Sequence, residues 1–182
     1  MKVILIRHFA TKGNLEKRYV GITDEDILEA SAKDYPECGV VFSSPLKRCV
    51  QTAKAIYGCS PVIHTGLSET DFGKFEYRNF EELKNDSYYK RWIESGGKLP
   101  FPDGESMEEF SVRTVRAFYE CIRAAENMKE KRAAFVMHGG SIMAVLSTFT
   151  GRCFYNFHVK NGGGYICGFE NGRLSITGEI NV

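Results

Sequence analysis

At 182 residues with 43% apolar side chains, the chain is sized for one domain around one core. Its formal charge of +1 gives no general field to gather nucleic acid or a membrane surface, so any anion binding has to be local. There is no run of about 18 apolar residues, the chain starts on a strand pattern rather than a leader, and the six cysteines are scattered without a C-x-x-C pair. A cytoplasmic protein with reduced thiols is predicted.

Val3 to Ile6 (VILI) is a continuous apolar run, the pattern of a strand buried on both faces, and it ends on Arg7-His8. A polar turn through Thr11 and Asn14 follows. Ile27 to Tyr35 offers two or three helical turns at most before Pro36. Val40 to Phe42 reads as a second buried strand, and Ser43-Ser44-Pro45 leads into a helix over Leu46 to Tyr57, with serine as its cap and proline in its first turn. Val62 to His64 reads as a third buried strand. Residues 66–104, rich in Gly, Pro and charge, form an excursion over the sheet rather than a second domain. Ser106-Met-Glu-Glu109 is a capping box that opens the longest helix, running to about Met128 with Phe110, Val115, Phe118 and Ile122 as its apolar stripe. Ala133 to Met137 is a fourth strand, and Ser141 to Thr150 a helix ended by Gly151. Tyr165 to Phe169 and Leu174 to Ile180 flank Asn171-Gly172 as a hairpin. Strands alternating with helices predict one α/β domain over residues 1–182. It is read as a three-layer sandwich with a mostly parallel central sheet, helices on both faces (one shortened) and an antiparallel C-terminal hairpin at the edge.

Ligands of such sheets bind at the carboxyl ends of the strands. Four polar features fall there: Arg7-His8, Ser43-Ser44-Pro45 with Arg48, Glu69, and His138-Gly139-Gly140. Together they suit a phosphoryl group. Arg7 and Arg48 supply planar forks for its oxygens. Gly139 and Gly140 let backbone N–H groups approach at a helix start, and Asn14 adds a donor. A neutral imidazole can attack phosphorus, and neighbouring arginines keep it unprotonated. The second histidine would then stabilise the transferring charge, and Glu69 is the acid best placed to protonate the leaving oxygen. Two histidines and a glutamate without H-x-x-H or H-x-x-x-H pairing, beside two arginines, argue against a metal. The serines lack a G-x-S-x-G elbow.

The stretches RHFATKGN, SSPLKRCVQTA, LSETDFGKFE, PDGES and VMHGGSI occur in an order that resembles the histidine phosphatase superfamily, the phosphoglycerate mutase-like enzymes. The spacing is most similar to its short branch of α-ribazole phosphatases and broad small-molecule phosphatases. The resemblance implies that His8 is the phosphorylated nucleophile, with Arg7, Arg48, His138 and Asn14 as the phosphate pocket, Glu69 as the proton donor, and neither metal nor cofactor. It implies a phosphomonoesterase acting on small phosphate esters, α-ribazole 5′-phosphate among them, and releasing inorganic phosphate without a nucleic-acid or membrane partner. A phosphoglycerate mutase-type isomerase and a non-catalytic phospho-ligand binding protein are the alternatives. Glu105 aligns near the site, and equally reads as a first-turn helix charge.

Three departures stand out. Phe9 replaces a glycine of the pattern, and is expected to keep an ordinary negative φ with its ring beside the pocket. Phe75 and Tyr77 replace a Trp and a Gly. Only 18 residues separate Asp24 from Ser43, fewer than the pattern allows. The sheet flank there is expected to be covered by a rearranged loop or by a partner subunit in a homodimer. Phe72, Phe75, Tyr77, Tyr88, Tyr89 and Trp92 either line a mouth or pack, and packing is expected for most.

Overall fold

The computed structural model describes residues 1–30 and 34–182. Six strands form one sheet: β1 (Lys2–Arg7), β2 (Val40–Ser43), β3 (Val62–Ile63), β4 (Arg132–Met137), β5 (Gly164–Glu170) and β6 (Arg173–Ile180). Their order is β3-β2-β4-β1-β5-β6. The first four strands in that order run parallel, β5 is antiparallel to β1, and β6 pairs antiparallel with β5. The hairpin turn places Asn171 at φ 50° and Gly172 at φ 73°, the left-handed pair that an Asn-Gly turn supplies.

The two-residue period of the strands divides their side chains between two cores. The α-helices of the described residues are α1 (Lys12–Leu15), α2 (Lys47–Tyr57), α3 (Phe80–Leu83), α4 (Ser87–Glu94), α5 (Met107–Asn127) and α6 (Gly139–Thr150). Val3, Leu5, Phe42, Phe135 and Met137 face α5 and α6, against Phe118, Ile122 and Val145. Ile4, Ile6, Val41, Ala134 and Val136 face α2 (Lys47–Tyr57) through Cys49 and Ala53. Helices therefore lie on both faces. The predicted capping box holds: Ser106 Oγ accepts from Glu109 N at 3.2 Å, and Glu109 Oε2 accepts from Ser106 N at 2.9 Å. A third cluster of Phe75, Leu83, Tyr89, Trp92 and Phe101 forms within the excursion.

Three local expectations need correction. Val62 and Ile63 are 44% and 46% exposed rather than buried, because β3 is the sheet's outer strand and has only β2 beside it. Leu46, not a serine, caps α2, and it makes no side-chain cap bond, which places Pro45 before the first turn. Among the described residues of Ile27 to Tyr35 there is no helix; residues 31–33 of that segment lie outside the described residues. Ile27 instead bridges to Thr11 and donates to Gln51 Oε1 at 2.9 Å.

Described residues of the segment after Asp24, without regular secondary structure, cover part of the sheet flank. Tyr35 and Cys38 pack on the α2-side core, and the Tyr35 hydroxyl donates to Gly162 O at 2.9 Å. Phe9 packs beside Tyr35. Its φ is negative, it is 3% exposed, and its ring stands 6.3 Å from that of Tyr35. Gly162, at φ 78°, passes so close that a Cβ there would lie 3.1 Å from the Phe9 ring. Phe9→Ala should lower stability by about 3–5 kcal/mol, the cost of emptying a buried aromatic site. Urea unfolding measures this, and a variant as stable as the parent would refute the packing role.

Candidate active site

The sheet order places the carboxyl ends of β2, β4 and β1 side by side, so the residues that follow them meet. His8 N donates to Met137 O at 2.9 Å, and Ser44 N to Val136 O at 3.2 Å, which locks the three strand ends in register. The His8 and His138 rings consequently stand 5.2 Å apart at 64°. Both are buried.

His8 Nδ1 lies 2.7 Å from Phe9 O. A carbonyl only accepts, so Nδ1 carries the proton and Nε2 keeps its lone pair. Burial, reinforced by the charges of Arg48 and Arg7, holds the His8 pKa well below its ordinary value. His138 is lowered in the same way, by burial first and then by Arg48. Its Nε2 shares a 2.8 Å hydrogen bond with Ser44 Oγ and lies 3.4 Å from Cys49 Sγ, a thiol that burial keeps neutral.

Arg48 is fully buried at the start of α2. Its Nη1 donates to Thr23 O at 2.7 Å, and its Nη2 to Gly21 O at 2.8 Å and Val20 O at 3.3 Å. Arg7 Nη1 donates to Val159 O at 2.7 Å. The Nε atoms of both arginines are buried without a protein partner. Burial lowers the Arg7 pKa, Glu69 opposes this, and the Arg48 charge adds to it.

Glu69 joins this group from the excursion. Its Oε1 accepts from Thr70 N at 3.0 Å and its Oε2 from Gly140 N at 3.2 Å. A Cβ on Gly140 would lie 2.4 Å from Glu69 Oε1, so glycine is needed for this approach. The second N–H at the α6 start is thereby committed to Glu69, where a phosphate contact was expected. Burial raises the Glu69 pKa in spite of these bonds and of Arg48 and Arg7. Gly139 lies against Arg7, with its Cβ direction 3.4 Å from Arg7 Nε. Asn14 Oδ1 accepts from Thr11 N at 3.2 Å and from Asn161 Nδ2 at 2.9 Å, which leaves the Asn14 amide donor for other use.

Several braces carry no sequence signal of their own. Asn161 also donates to His8 O at 3.1 Å. Glu76 accepts from Gly21 N at 3.0 Å and Thr23 N at 2.9 Å, fixing the loop whose carbonyls receive Arg48. Glu105 is paired with Arg113 through two bonds of 2.8 and 2.7 Å, and Arg113 also donates to the carbonyls of Gly66, Ser68 and Glu69. Glu105 thus braces the Glu69 segment as half of an ion pair. Among the described residues, no group of three His, Cys, Asp or Glu stands ready to hold a metal ion, and no helix is long and apolar enough to cross a membrane.

A mostly parallel sheet covered on both faces, with charged groups gathered beyond its strand ends, defines an α/β protein of the class whose ligands bind at that rim. The family model "Histidine phosphatase superfamily (branch 1)" matches residues 3–180, and the chain belongs to that superfamily. It is 32% identical over 167 residues to "Probable phosphoglycerate mutase GpmB" of Enterobacter sp. (strain 638), covering 83% of this chain and 75% of the relative. The crystal structure of a histidine-to-alanine variant of phosphoserine phosphatase from Entamoeba histolytica, in complex with phosphoserine, superposes with a TM-score of 0.80. It is 26% identical over 98% of this chain and 96% of that one. The α-ribazole phosphatase from Shigella flexneri gives a TM-score of 0.81 at 22% identity, covering 97% of this chain and 95% of that one, and so shares the fold.

Because both imidazoles have folded pKa values below the ordinary 6.5, the unfolded chain binds more protons below that pH. Their contribution to stability is complete above it and is lost as the pH falls. Glu69, raised above 4.5, acts in the opposite sense. At about pH 6, nitrogen NMR should show His8 as the neutral Nδ1–H tautomer. An imidazolium at that pH would contradict the electrostatic account.

Proposed function

We propose that the chain is a phosphomonoesterase that hydrolyses small phosphorylated metabolites in the cytoplasm through a phosphohistidine at His8. One observation carries this reading: a neutral imidazole with a free Nε2 lone pair is flanked by two guanidiniums, one fully and one partly buried, whose buried Nε atoms have no protein partner. A phosphoryl dianion supplies the acceptors those donors lack and the charge that their burial calls for.

In the first step His8 Nε2 attacks phosphorus, the P–O ester bond breaks, and protonated Glu69 gives its proton to the departing alkoxide. In the second step Glu69 takes a proton from water, the water oxygen attacks phosphorus, and the P–N bond breaks to release inorganic phosphate. Arg7, Arg48, Asn14, His138 and the Gly139 backbone hold the phosphoryl oxygens and stabilise their charge in both transfers. The raised Glu69 pKa supports its role as acid. Ser44 and Cys49 position the His138 ring and do not react.

Phosphoserine, phosphoglycerate and α-ribazole 5′-phosphate all enter as candidate substrates through relatives' names. The 32% identical relative favours a mutase as the second reading, which an assay for phosphoglycerate interconversion separates from hydrolysis.

His8→Ala should abolish phosphate release from p-nitrophenyl phosphate, and substantial residual turnover would refute the nucleophile. The trapped phosphoenzyme should be labile in acid and stable in alkali. Glu69→Gln should slow turnover of alkyl phosphates by about 10²–10⁴-fold, the span of general acid catalysis. The loss should be smaller on p-nitrophenyl phosphate, whose leaving group departs without a proton. Equal losses on the two substrates would remove Glu69 from the acid role.

A further inference from the structure

A cavity of about 300 Å³ opens beside Arg7, Glu69, Gly139 and Gly140, at the small end of the range for small-molecule sites. It is the space into which the alcohol half of a phosphate ester would extend. Its walls are aromatic: Tyr19, Phe72, Trp92 and Phe101 from the excursion side, and Phe154 and Tyr155 from the segment after α6. These rings hold one another in place. Phe72 and Phe101 meet edge to face at 5.0 Å, Trp92 and Phe101 stand 5.1 Å apart, and Tyr19 lies 5.2 Å from Phe72. Trp92 and Phe101 are only 7% and 4% exposed, so the surface they offer is fixed before anything binds.

The charges of the lining are equally restrictive. Its bases are Arg7 and His158, and its acid is Glu69. Arg7 Nη1 is spent on Val159 O, and the rest of its fork serves the phosphate. Glu69 serves as the acid. His158 is exposed, and one exposed imidazole gives a carboxylate a screened contact in place of a guanidinium fork. Neither a carboxylate nor an ammonium on the alcohol therefore meets a fixed counter-charge, and each would be stripped of water against aromatic faces.

We propose, on the basis of the phosphatase reading, that the preferred substrates are monophosphates of uncharged, ring-bearing alcohols, and that the carboxylated esters for which two relatives are named are poor substrates. Flat rings stack or meet edge to face with the walls, and Met107 and Met143 adapt to their outline.

The full chain tests this with four alkyl esters: 2-phenylethyl phosphate, phosphoethanolamine, O-phosphoserine and 3-phosphoglycerate. The expected kcat/KM on 2-phenylethyl phosphate exceeds each of the others by at least about tenfold, the discrimination an apolar pocket gives. Tyr155→Ala, at an exposed wall position, should narrow that ratio through a higher KM for the ring-bearing ester. Turnover of O-phosphoserine or 3-phosphoglycerate equal to or faster than that of 2-phenylethyl phosphate overturns the inference and leaves phospho-His8 standing. Failure of His8-dependent release from p-nitrophenyl phosphate removes the phosphatase reading and the inference with it.

Discussion

The rim is organised around a guanidinium that the protein has taken wholly out of water. Arg48 is among the largest fully buried side chains, and an uncompensated charge at that depth is strongly unfavourable. Three carbonyls of the 20–23 loop offset part of the cost, and Glu76 holds that loop by its own N–H groups. One side chain thereby sets three properties. It fixes the loop after the first turn, it adds its charge to the burial that depresses both histidines, and together with Arg7 it leaves a concentration of positive charge with unmet donors. On the proposed reading, an anion bound at the rim would complete the arrangement.

Much of this was legible in the sequence because the decisive strands are short apolar runs that end directly on chemistry. VILI-RH and AAFVM-H deliver His8 and His138 with no intervening loop, and parallel pairing of β1 with β4 makes them neighbours. The longest helix announced itself by Ser106 and Glu109. What escaped sequence reading consists of bonds between side chains and distant backbone. Asn161 reaches His8 O across 153 positions, and Arg113 reaches the carbonyl of Glu69 across 44; such contacts leave no periodicity. Ser44 has the composition of a helix cap, and only the adjacency of β2 and β4 shows that its hydroxyl serves His138. The exposure of β3 escaped for a related reason, since an apolar run does not reveal how many neighbours its strand has.

The departures from the family pattern prove to be compensated locally. Tyr77 stands where the pattern has glycine and takes a φ of 57°, a left-handed conformation that is costly for a bulky residue. Its hydroxyl donates to Glu25 at 2.9 Å, and the Arg18 guanidinium lies 5.1 Å over its ring. Glu25 in turn accepts from Thr11 Oγ1 at 2.7 Å and Gly13 N at 3.0 Å, so the turn after β1 is braced through a residue that departs from the pattern. Phe9 works in the same way, its ring packed between Tyr35 and Gly162.

Glu69 sits in opposing fields. Burial raises its pKa, whereas two backbone N–H groups and two arginines lower it, and burial prevails. A bound phosphoryl dianion would cancel the arginines' contribution and place negative charge beside the carboxyl, so both effects drive the pKa further upward. In the proposed reaction Glu69 would therefore be most firmly protonated when an ester occupies the site, which is when a proton is needed. Once the alcohol has left with that proton in this proposed sequence, the Thr70 and Gly140 N–H groups would stabilise the carboxylate that must accept the next one from water. The same two glycines that looked like a phosphate cradle thus divide their labour, Gly139 lying against Arg7 and Gly140 holding the acid. In the proposed reaction that division would tie proton transfer to anion binding through a single turn of backbone.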